Sequence, residues 1–346
     1  MPNIDVELLE EEWDDDFRPP RNKNYSVAAK SRVDKDLPAR AVAVDRGRVT
    51  VLLDGEVVEA AFGGSMRGRK VVVGDDVRVR PAAHSGDTAR VTDLLERRTV
   101  LRRTADDAMH DDRVVAANID QVIVVLAGDH LAAGARFLDR VLVAAEDGGT
   151  EAVVCINKID VADMAEVDAL RERYEAIGYG SLACSAETGE GIDRLRWQLE
   201  DAWTVLTGHS GVGKSSIYNL IVPDAAQAVA EVGRRGGRHT TVASRAEQVT
   251  GLDNGWVVDT PGVRSFGLGF MDEERLGSTF PELRGLGCEH DDCRHDGEPG
   301  CRLAESTIIP VRLETYRRLL SSVRGDDRWD RDEWGSVDHD EDEDES

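Results

Sequence analysis

The sequence predicts an α/β fold with a doubly wound parallel sheet, preceded by a small β-barrel and followed by a compact cysteine-rich segment. Three observations lead to this prediction. Apolar, strand-like runs alternate with helical patterns between residues 104 and 270, which is typical of parallel sheets covered by helices. Five short runs with period-2 alternation precede that region. Three cysteines and two histidines follow it, all within positions 288–301.

The chain of 346 residues has room for two or three domains, and its net charge of −25 is concentrated at both ends. Residues 1–16 carry a net charge of −8 and residues 326–346 a net charge of −10. We therefore expect disordered acidic tails at 1–36 and 326–346. The sequence contains neither an 18-residue apolar run nor a basic-then-apolar leader. A cytoplasmic protein without membrane contact or disulfides is the expectation.

Residues 37–103 are expected to form a five-stranded β-barrel, for which the OB-fold is the common architecture. Alternating runs at 40–44, 48–53 and 56–62 are separated by turns rich in Asp and Gly, and two more runs follow. Residues 64–103 contain ten Lys or Arg residues against five acidic ones. This positive charge indicates contact with a phosphate backbone, although arginines that only solubilise the barrel are the alternative. Few aromatic residues are present for base stacking, which favours structured RNA.

A glycine-rich loop in the α/β region has the pattern of a phosphate-binding P-loop. It follows the apolar run 204–206 and leads into a helical run at 217–221, and this strand–loop–helix context makes the G-x-x-x-x-G-K-S pattern specific. Backbone amides of such a loop cradle phosphates, while Lys214 reaches the β- and γ-phosphates and Ser215 holds Mg²⁺. The predicted nucleotide-binding residues here are Gly208, His209, Ser210, Gly211, Val212, Gly213, Lys214, Ser215 and Ser216.

Two strand ends earlier in the chain carry the residues of a guanine pocket. The first ends in Asn157, Lys158, Ile159 and Asp160, an N-K-x-D element, and the second in Ser185 and Ala186. The Asp160 carboxylate can accept hydrogen bonds from guanine N1–H and the 2-amino group. Adenine offers neither donor, and an unpaired buried acceptor costs about 1–3 kcal/mol. The nucleotide is therefore expected to be GTP or GDP with Mg²⁺.

Residues for hydrolysis are expected after the P-loop. Thr240 and Thr241 follow a Gly- and Arg-rich stretch and are candidates for Mg²⁺ and nucleotide contact. Asp259 and Gly262 belong to a D-T-P-G element, for Mg²⁺ and the γ-phosphate respectively. Position 263 is a valine, which cannot orient a water molecule by hydrogen bonding. We expect slow intrinsic hydrolysis, with Lys214 and His239 as the catalytic candidates; a merely exposed His239 is the alternative.

The order of these motifs is permuted, because N-K-x-D and S-A precede the P-loop and D-T-P-G follows it. Joining the former termini and opening a surface loop leaves the sheet packing intact. This order, together with G-H-S-G-V-G-K-S-S, D-T-P-G-V-R-S-F-G-L and the preceding barrel, resembles the ribosome small-subunit-dependent GTPase family (RsgA/YjeQ type) over residues 38–320. The resemblance implies a circularly permuted GTPase domain at 104–270 and a zinc-binding domain at 271–325. It also implies late maturation of the 30S ribosomal subunit, contact with 16S rRNA, and GTP hydrolysis stimulated by the subunit.

The cysteine-rich segment matches the zinc-binding pattern of that family. Three Cys and one His form a closed tetrahedral site, which makes a metal structural and not catalytic. The matching residues are Cys288, Cys293, His295 and Cys301, with His290 as a competing ligand. A monomer is expected. Two other functions remain open from sequence: a nucleotide sensor that does not hydrolyse GTP, which Val263 favours, and an ATP-using kinase, which Asp160 opposes.

Overall fold

The structure is a computed structural model that describes residues 36–45, 47–84, 87–104, 112–223, 244–259, 268–283, 285–290, 293, 295, 298–306, 308 and 310–324. Asp36 onwards forms one compact unit. Among the described residues, no helix combines the length and the apolar character needed to cross a membrane.

The first five strands close into a barrel with the strand order β1-β2-β3-β5-β4, and β4 pairs back onto β1. Strands β3 and β5 run parallel, and the other neighbours are antiparallel. Closure removes the exposed edges that an open sheet of this size would have. The Asp54–Gly55 turn between β2 and β3 has positive φ at both residues, as a tight hairpin requires. The strands are β1 Leu37–Asp45, β2 Arg48–Leu53, β3 Glu56–Phe62, β4 Asp76–Arg80 and β5 Ala89–Leu94.

The central domain begins with a hairpin of β6 (Val100–Thr104) and β7 (Asp112–Ala117), and continues as a six-stranded sheet. The strand order in that sheet is β10-β9-β8-β11-β13-β12, parallel except at β12. All seven residues of β8 are buried, as expected for a strand covered on both faces. Its strands are β8 Gln121–Ala127, β9 Glu151–Asn157, β10 Gly180–Ala183, β11 Trp203–Gly208, β12 Arg245–Gln248 and β13 Trp256–Asp259.

Among the described residues of this domain, four helices cover the two faces of the sheet and create two apolar cores. One core lies under α1 and α2 and the other under α3 and α4. This arrangement explains the continuous apolar runs of the parallel strands, because both of their faces are buried. The helices are α1 Leu131–Gly148, α2 Met164–Glu175, α3 Ile192–Leu199 and α4 Lys214–Ile221.

The barrel is joined to the edge of the central sheet. Ala43 of β1 pairs with Arg245 of β12, so the hydrogen-bonded strands continue from one domain into the other. Arg40 of the barrel lies 4.0 Å from the centre of the Trp203 ring, and Trp203 stacks on Trp256 with 5.1 Å between ring centroids. Both tryptophans lie at the amino ends of their strands, so Arg40 contacts the end of the sheet opposite the P-loop, whereas Ala43 and Arg245 pair level with Asp259 at the carboxyl end.

The C-terminal segment contains two helices, α5 (Glu273–Ser278) and α6 (Pro310–Arg324). The Asp272 carboxylate caps α5 by accepting a hydrogen bond from the Arg275 amide. Tyr316, Leu319 and Leu320 of α6 are buried in a core with Phe280. The apolar face of this helix is therefore used inside the molecule. Val143 of α1 belongs to the same core, which makes α1 common to two domains.

Candidate functional site

The glycine loop lies between the carboxyl end of β11 and the first turn of α4, where backbone amides can point at an anion. Gly208, Gly211 and Gly213 have φ values of 151°, 80° and 93°. A Cβ at Gly213 would lie 2.2 Å from Asn157 Nδ2, and one at Gly208 would lie 2.4 Å from the Val125 carbonyl oxygen. Both positions therefore need glycine for the backbone path and for the close approach of a neighbouring strand end.

Lys214 is held inside the curve of this loop. Its ammonium donates to the carbonyl oxygens of Gly208, at 2.7 Å, and of His209. Burial lowers the pKa of Lys214, while Asp259 opposes that shift. Burial also raises the pKa of the Asp259 carboxyl, and Lys214 opposes this in turn. The Lys214 ammonium and the Asp259 carboxylate are therefore close enough to shift each other's pKa.

Asn157 connects the glycine loop to the S-A loop. Its side chain is 1% exposed, and Nδ2 donates to the Val212 carbonyl oxygen at 2.8 Å. On the other side, Oδ1 accepts from the Ala186 amide at 2.9 Å. One buried amide therefore fixes two loops that lie 26 residues or more apart in sequence, and the three motifs form a single site.

Asp160 lies in the same loop cluster. Its Oδ1 accepts a hydrogen bond from the Ser185 hydroxyl, and the Ser185 oxygen in turn accepts from the Thr188 amide at 3.1 Å. Lys158 adopts a left-handed backbone with φ of 66°, and its ammonium lies 3.6 Å from the Asp129 carboxylate. The carboxylate of Asp160 is exposed and oriented by the Ser185 hydroxyl. It therefore offers the pair of acceptor oxygens that a guanine edge needs.

Four of the predicted residues lie outside the described part of the chain: His239, Thr240, Thr241 and Gly262. Val263 does as well. Asp259 is described, at the end of β13, and Ser215 and Ser216 lie in the first turn of α4.

The cysteine-rich segment brings four ligand atoms together. The Nδ1 atom of His295 lies 3.6 Å from Cys288 Sγ, 3.7 Å from Cys293 Sγ and 3.6 Å from Cys301 Sγ. All four ligand atoms lie within 4.8 Å of one another. Zn–S and Zn–N bonds of about 2.3 and 2.0 Å in a tetrahedron give an S···N edge of about 3.6 Å, so the cluster fits zinc.

Further contacts agree with a structural metal site. The Arg302 amide points at Cys288 Sγ at 3.3 Å, a contact that supports a metal-bound thiolate. Without a cation, burial and the neighbouring thiols raise the pKa of Cys293 to about 12. His290, the alternative ligand, is exposed and does not belong to the cluster.

Known proteins share this organisation. A model of the RsgA GTPase family matches residues 94–269, which is half of the chain. The chain belongs to the RsgA GTPase family. Among its relatives, the small ribosomal subunit biogenesis GTPase RsgA of Gemmatimonas aurantiaca is 37% identical over 281 residues, which covers 76% of this chain and 91% of the relative. The protein of that name from Bacteroides fragilis (strain ATCC 25285) is 34% identical over 284 residues, covering 77% and 90%.

Solved structures of RsgA-like proteins have the same fold. The crystal structure of YjeQ from Thermotoga maritima superposes with a TM-score of 0.68 at 28% identity, over 84% of this chain and 99% of that one. YloQ, described as a circularly permuted GTPase, gives a TM-score of 0.64 at 24% identity, over 84% and 96%. The predicted fold class, an OB-type barrel followed by a permuted GTPase domain and a cysteine-rich domain, is confirmed. As an RsgA GTPase, the chain is a GTP hydrolase.

Two contacts of this RsgA GTPase site were not predicted from the sequence. Asp129, in the loop after β8, pairs with Lys158. Phe137 of α1 packs against the P-loop residue His209, with 4.5 Å between ring centroids. Asp129 follows a buried strand at the same sheet edge as N-K-x-D, so its place near Lys158 could have been predicted from the sequence. No comparable signal marked Phe137, because its apolar spacing indicated only core packing.

Proposed function

We propose that this RsgA GTPase binds the small ribosomal subunit and assists its late maturation, with GTP hydrolysis stimulated by the subunit. The observation that carries the proposal is the permuted GTPase core, which is hydrogen-bonded to a cationic barrel at β1–β12 and packed against a Cys₃His domain. The relatives named small ribosomal subunit biogenesis GTPases are covered over about nine-tenths of their length, which supports carrying that role over.

The guanine nucleotide would be bound by residues of the three joined loops. Asp160 would accept from guanine N1–H and the 2-amino group, and the Ala186 amide, which donates to Asn157 Oδ1, would be shared with guanine O6. Asn157 would hold the two loops in register, and Lys158, fixed by Asp129, would lie along the base. The full nucleotide-binding set that we propose is Asn157, Lys158, Ile159, Asp160, Ser185, Ala186, Gly208, His209, Ser210, Gly211, Val212, Gly213, Lys214, Ser215, Ser216, Thr240, Thr241, Asp259 and Gly262.

Phosphate chemistry would depend on Lys214, Ser215 and Asp259. Lys214 would exchange its loop carbonyl partners for phosphate oxygens when a nucleotide binds. Ser215 and Asp259 would provide oxygen atoms for Mg²⁺, which when bound neutralises charge that develops on the phosphates. His239 would orient the attacking water when the subunit is bound, since Val263 cannot. Zinc held by Cys288, Cys293, His295 and Cys301 would stabilise the C-terminal domain and take no part in hydrolysis.

The barrel provides the cationic surface that such a subunit would contact. Arg67 and Lys70 are exposed and form no ion pair with any residue that the structure describes. Arg97, by contrast, is committed to the buried carboxylate of Asp75, with Nε–Oδ1 at 2.7 Å. The arginines of the barrel therefore divide into structural and available groups. The exposed, unpaired cations Arg67 and Lys70 support binding to phosphates of rRNA, and the rRNA of this subunit is the 16S rRNA.

The test measures hydrolysis and retention on the same protein. Single-turnover GTP hydrolysis is followed with and without purified 30S subunits, and 30S pelleting is compared between GDP and a non-hydrolysable GTP analogue. We expect faster turnover with 30S, abolished by Lys214→Ala, and stronger retention in the presence of the analogue. Purified 50S subunits control for general RNA affinity. Equal pelleting with both nucleotides, or turnover unchanged by 30S, would contradict the proposal.

A further inference from the structure

Helix α1 presents a separate stripe of side chains to the C-terminal segment. Asp139, Val143 and Asp147 are four residues apart and therefore lie on one face of the helix. Val143 is fully buried in the core that contains Phe280 and Tyr316. An apolar contact between two charged ones thus fixes α1 to the C-terminal segment over two helical turns.

The two charged contacts of this stripe each join a buried carboxylate of α1 to an arginine of the C-terminal segment. Asp139 Oδ2 accepts from the Thr315 hydroxyl at 2.6 Å, and Asp139 Oδ1 lies 3.5 Å from Arg312 Nη1. Arg312, 1% exposed, also donates from Nε to Glu282 at 3.0 Å. At the other end, Arg275 forms a bidentate pair with Asp147. Separating these groups would leave buried charges unpaired, so α1 and the C-terminal segment should move as one body.

A different side of the same helix contacts the phosphate-binding loop. Phe137 is 2% exposed, and its ring centroid lies 4.5 Å from that of His209. The His209 carbonyl accepts a hydrogen bond from the Lys214 ammonium. A shift of α1 would therefore move the His209 ring. The His209 carbonyl oxygen is bound in turn to the ammonium of Lys214, the lysine that is expected to hold the phosphates.

We propose that α1 couples the C-terminal segment to the phosphate-binding loop, with Phe137 as a positioning residue that acts on Lys214 through His209. A partner that binds the C-terminal segment and shifts it also displaces α1, because Asp139, Val143 and Asp147 fix the helix to that segment. The Phe137–His209 contact then changes the fit of the loop around phosphate. This coupling can be measured without a ribosomal partner. It holds whether or not the small subunit is the partner that shifts the C-terminal segment.

The first experiment is a double-mutant cycle on the full chain, with the dissociation constant for fluorescent GDP as the readout. Phe137→Leu removes the ring, and His209→Gln removes its partner. We expect each variant to bind GDP about five- to tenfold more weakly, the range of ordinary coupling between sites. The double variant should be no weaker than the worse single variant. Phe137→Tyr, which keeps the ring, should lose less affinity than His209→Gln, and this comparison remains available where Phe137→Leu folds poorly.

The matched control is Leu142→Val, which trims an equally buried residue of α1 that lies in the sheet core. It should lower the melting temperature without changing GDP affinity. The second experiment loosens the distant clamp with Asp147→Asn combined with Arg275→Gln, which leaves no unpaired charge. We expect faster GDP dissociation with zinc content unchanged. Multiplicative effects in the cycle, a loss of affinity in Phe137→Tyr as large as that in His209→Gln, or unaltered GDP dissociation in the clamp variant would overturn the proposal.

Discussion

At the scale of single residues, the nucleotide pocket depends on one amide that must donate and accept at once. Asn157 donates to the glycine loop and accepts from the S-A loop, and it is almost fully buried. No other side chain of this size offers both functions in the same plane without carrying a charge. The identity of residue 157 therefore links the fold of the domain to the shape of the pocket.

Asn157→Asp is isosteric, yet it should be strongly damaging. The new carboxylate would face the Val212 carbonyl oxygen without a donor, in a buried position. We expect a loss of about 1–3 kcal/mol in the free energy of unfolding, together with weakened GTP binding. Urea denaturation and GTP titration measure the two effects. Asn219→Asp, on the exposed side of α4, is the control and should stay within about 0.5 kcal/mol of the unaltered chain.

Asp160→Asn tests the choice of base directly. An amide at this position can donate to the 2-carbonyl of xanthine, whereas it no longer accepts two hydrogen bonds from guanine. Affinity for GTP should fall by a factor of about 10 to 100, and affinity for XTP should rise. Competition of both triphosphates against fluorescent GDP measures the exchange. Equal losses for GTP and XTP would mean that Asp160 does not face the base.

At the scale of elements, α1 and α6 are joined by buried polar contacts that the apolar spacing of the two helices does not indicate. Arg312→Leu should leave Asp139 and Glu282 buried without their shared cation. The expected loss is about 3–5 kcal/mol in the free energy of unfolding, the usual result of removing one partner of a buried pair. Thermal and urea melts measure it. Arg302→Gln breaks an exposed pair with Glu305 and should leave the melting temperature unchanged.

The same helices show what could be predicted from the sequence and what could not. Apolar residues recur at helical spacing over 310–324, and the structure places Tyr316, Leu319 and Leu320 of α6 in a core. Arg312 and Thr315 share that buried side, although their residue types indicated solvent. A buried arginine becomes predictable only when its partners are known, and Asp139 lies 173 positions earlier in the chain. Contacts of that range are set by topology and leave no local pattern.

Loss of metal should unfold the C-terminal domain locally. The four ligands themselves lie outside any helix or strand, and binding free energy at such sites serves as folding free energy. Cys301→Ser should reduce the zinc content from one ion per chain to near zero and lower the melting temperature. Metal analysis and calorimetry report the two quantities. GTP binding by the separate nucleotide pocket should persist, and loss of both together would assign the metal a wider role.

At the scale of the whole molecule, the hydrogen-bonded sheet runs without interruption from the guanine pocket to the barrel. Strand β12 is paired with β13, which ends in Asp259, and on its other side with β1 of the barrel. The motif order predicted the permuted domain, and the period-2 runs predicted the barrel. Their junction could not be predicted from the sequence. Among the described residues one pair, Ala43 and Arg245, connects the two strands, and the sequence of neither strand indicates which strand it pairs with.

Because the whole chain carries a net charge of −25, removing exposed cations from the barrel surface gives a specific test of RNA binding. Arg67→Gln combined with Lys70→Gln removes two exposed cations that have no partner among the described residues. Removing one cation that binds a phosphate should lower the salt dependence of binding, the slope of log K against log salt, by about 1. We expect weaker 30S binding with a slope reduced by about 2, measured by pelleting at several salt concentrations. The matched control is Arg48→Gln combined with Arg80→Gln, whose arginines already pair with Glu59 and Asp36. Equal weakening in both double variants would mean that net charge alone governs binding, because only a specific phosphate-binding surface distinguishes the unpaired cations from the paired ones.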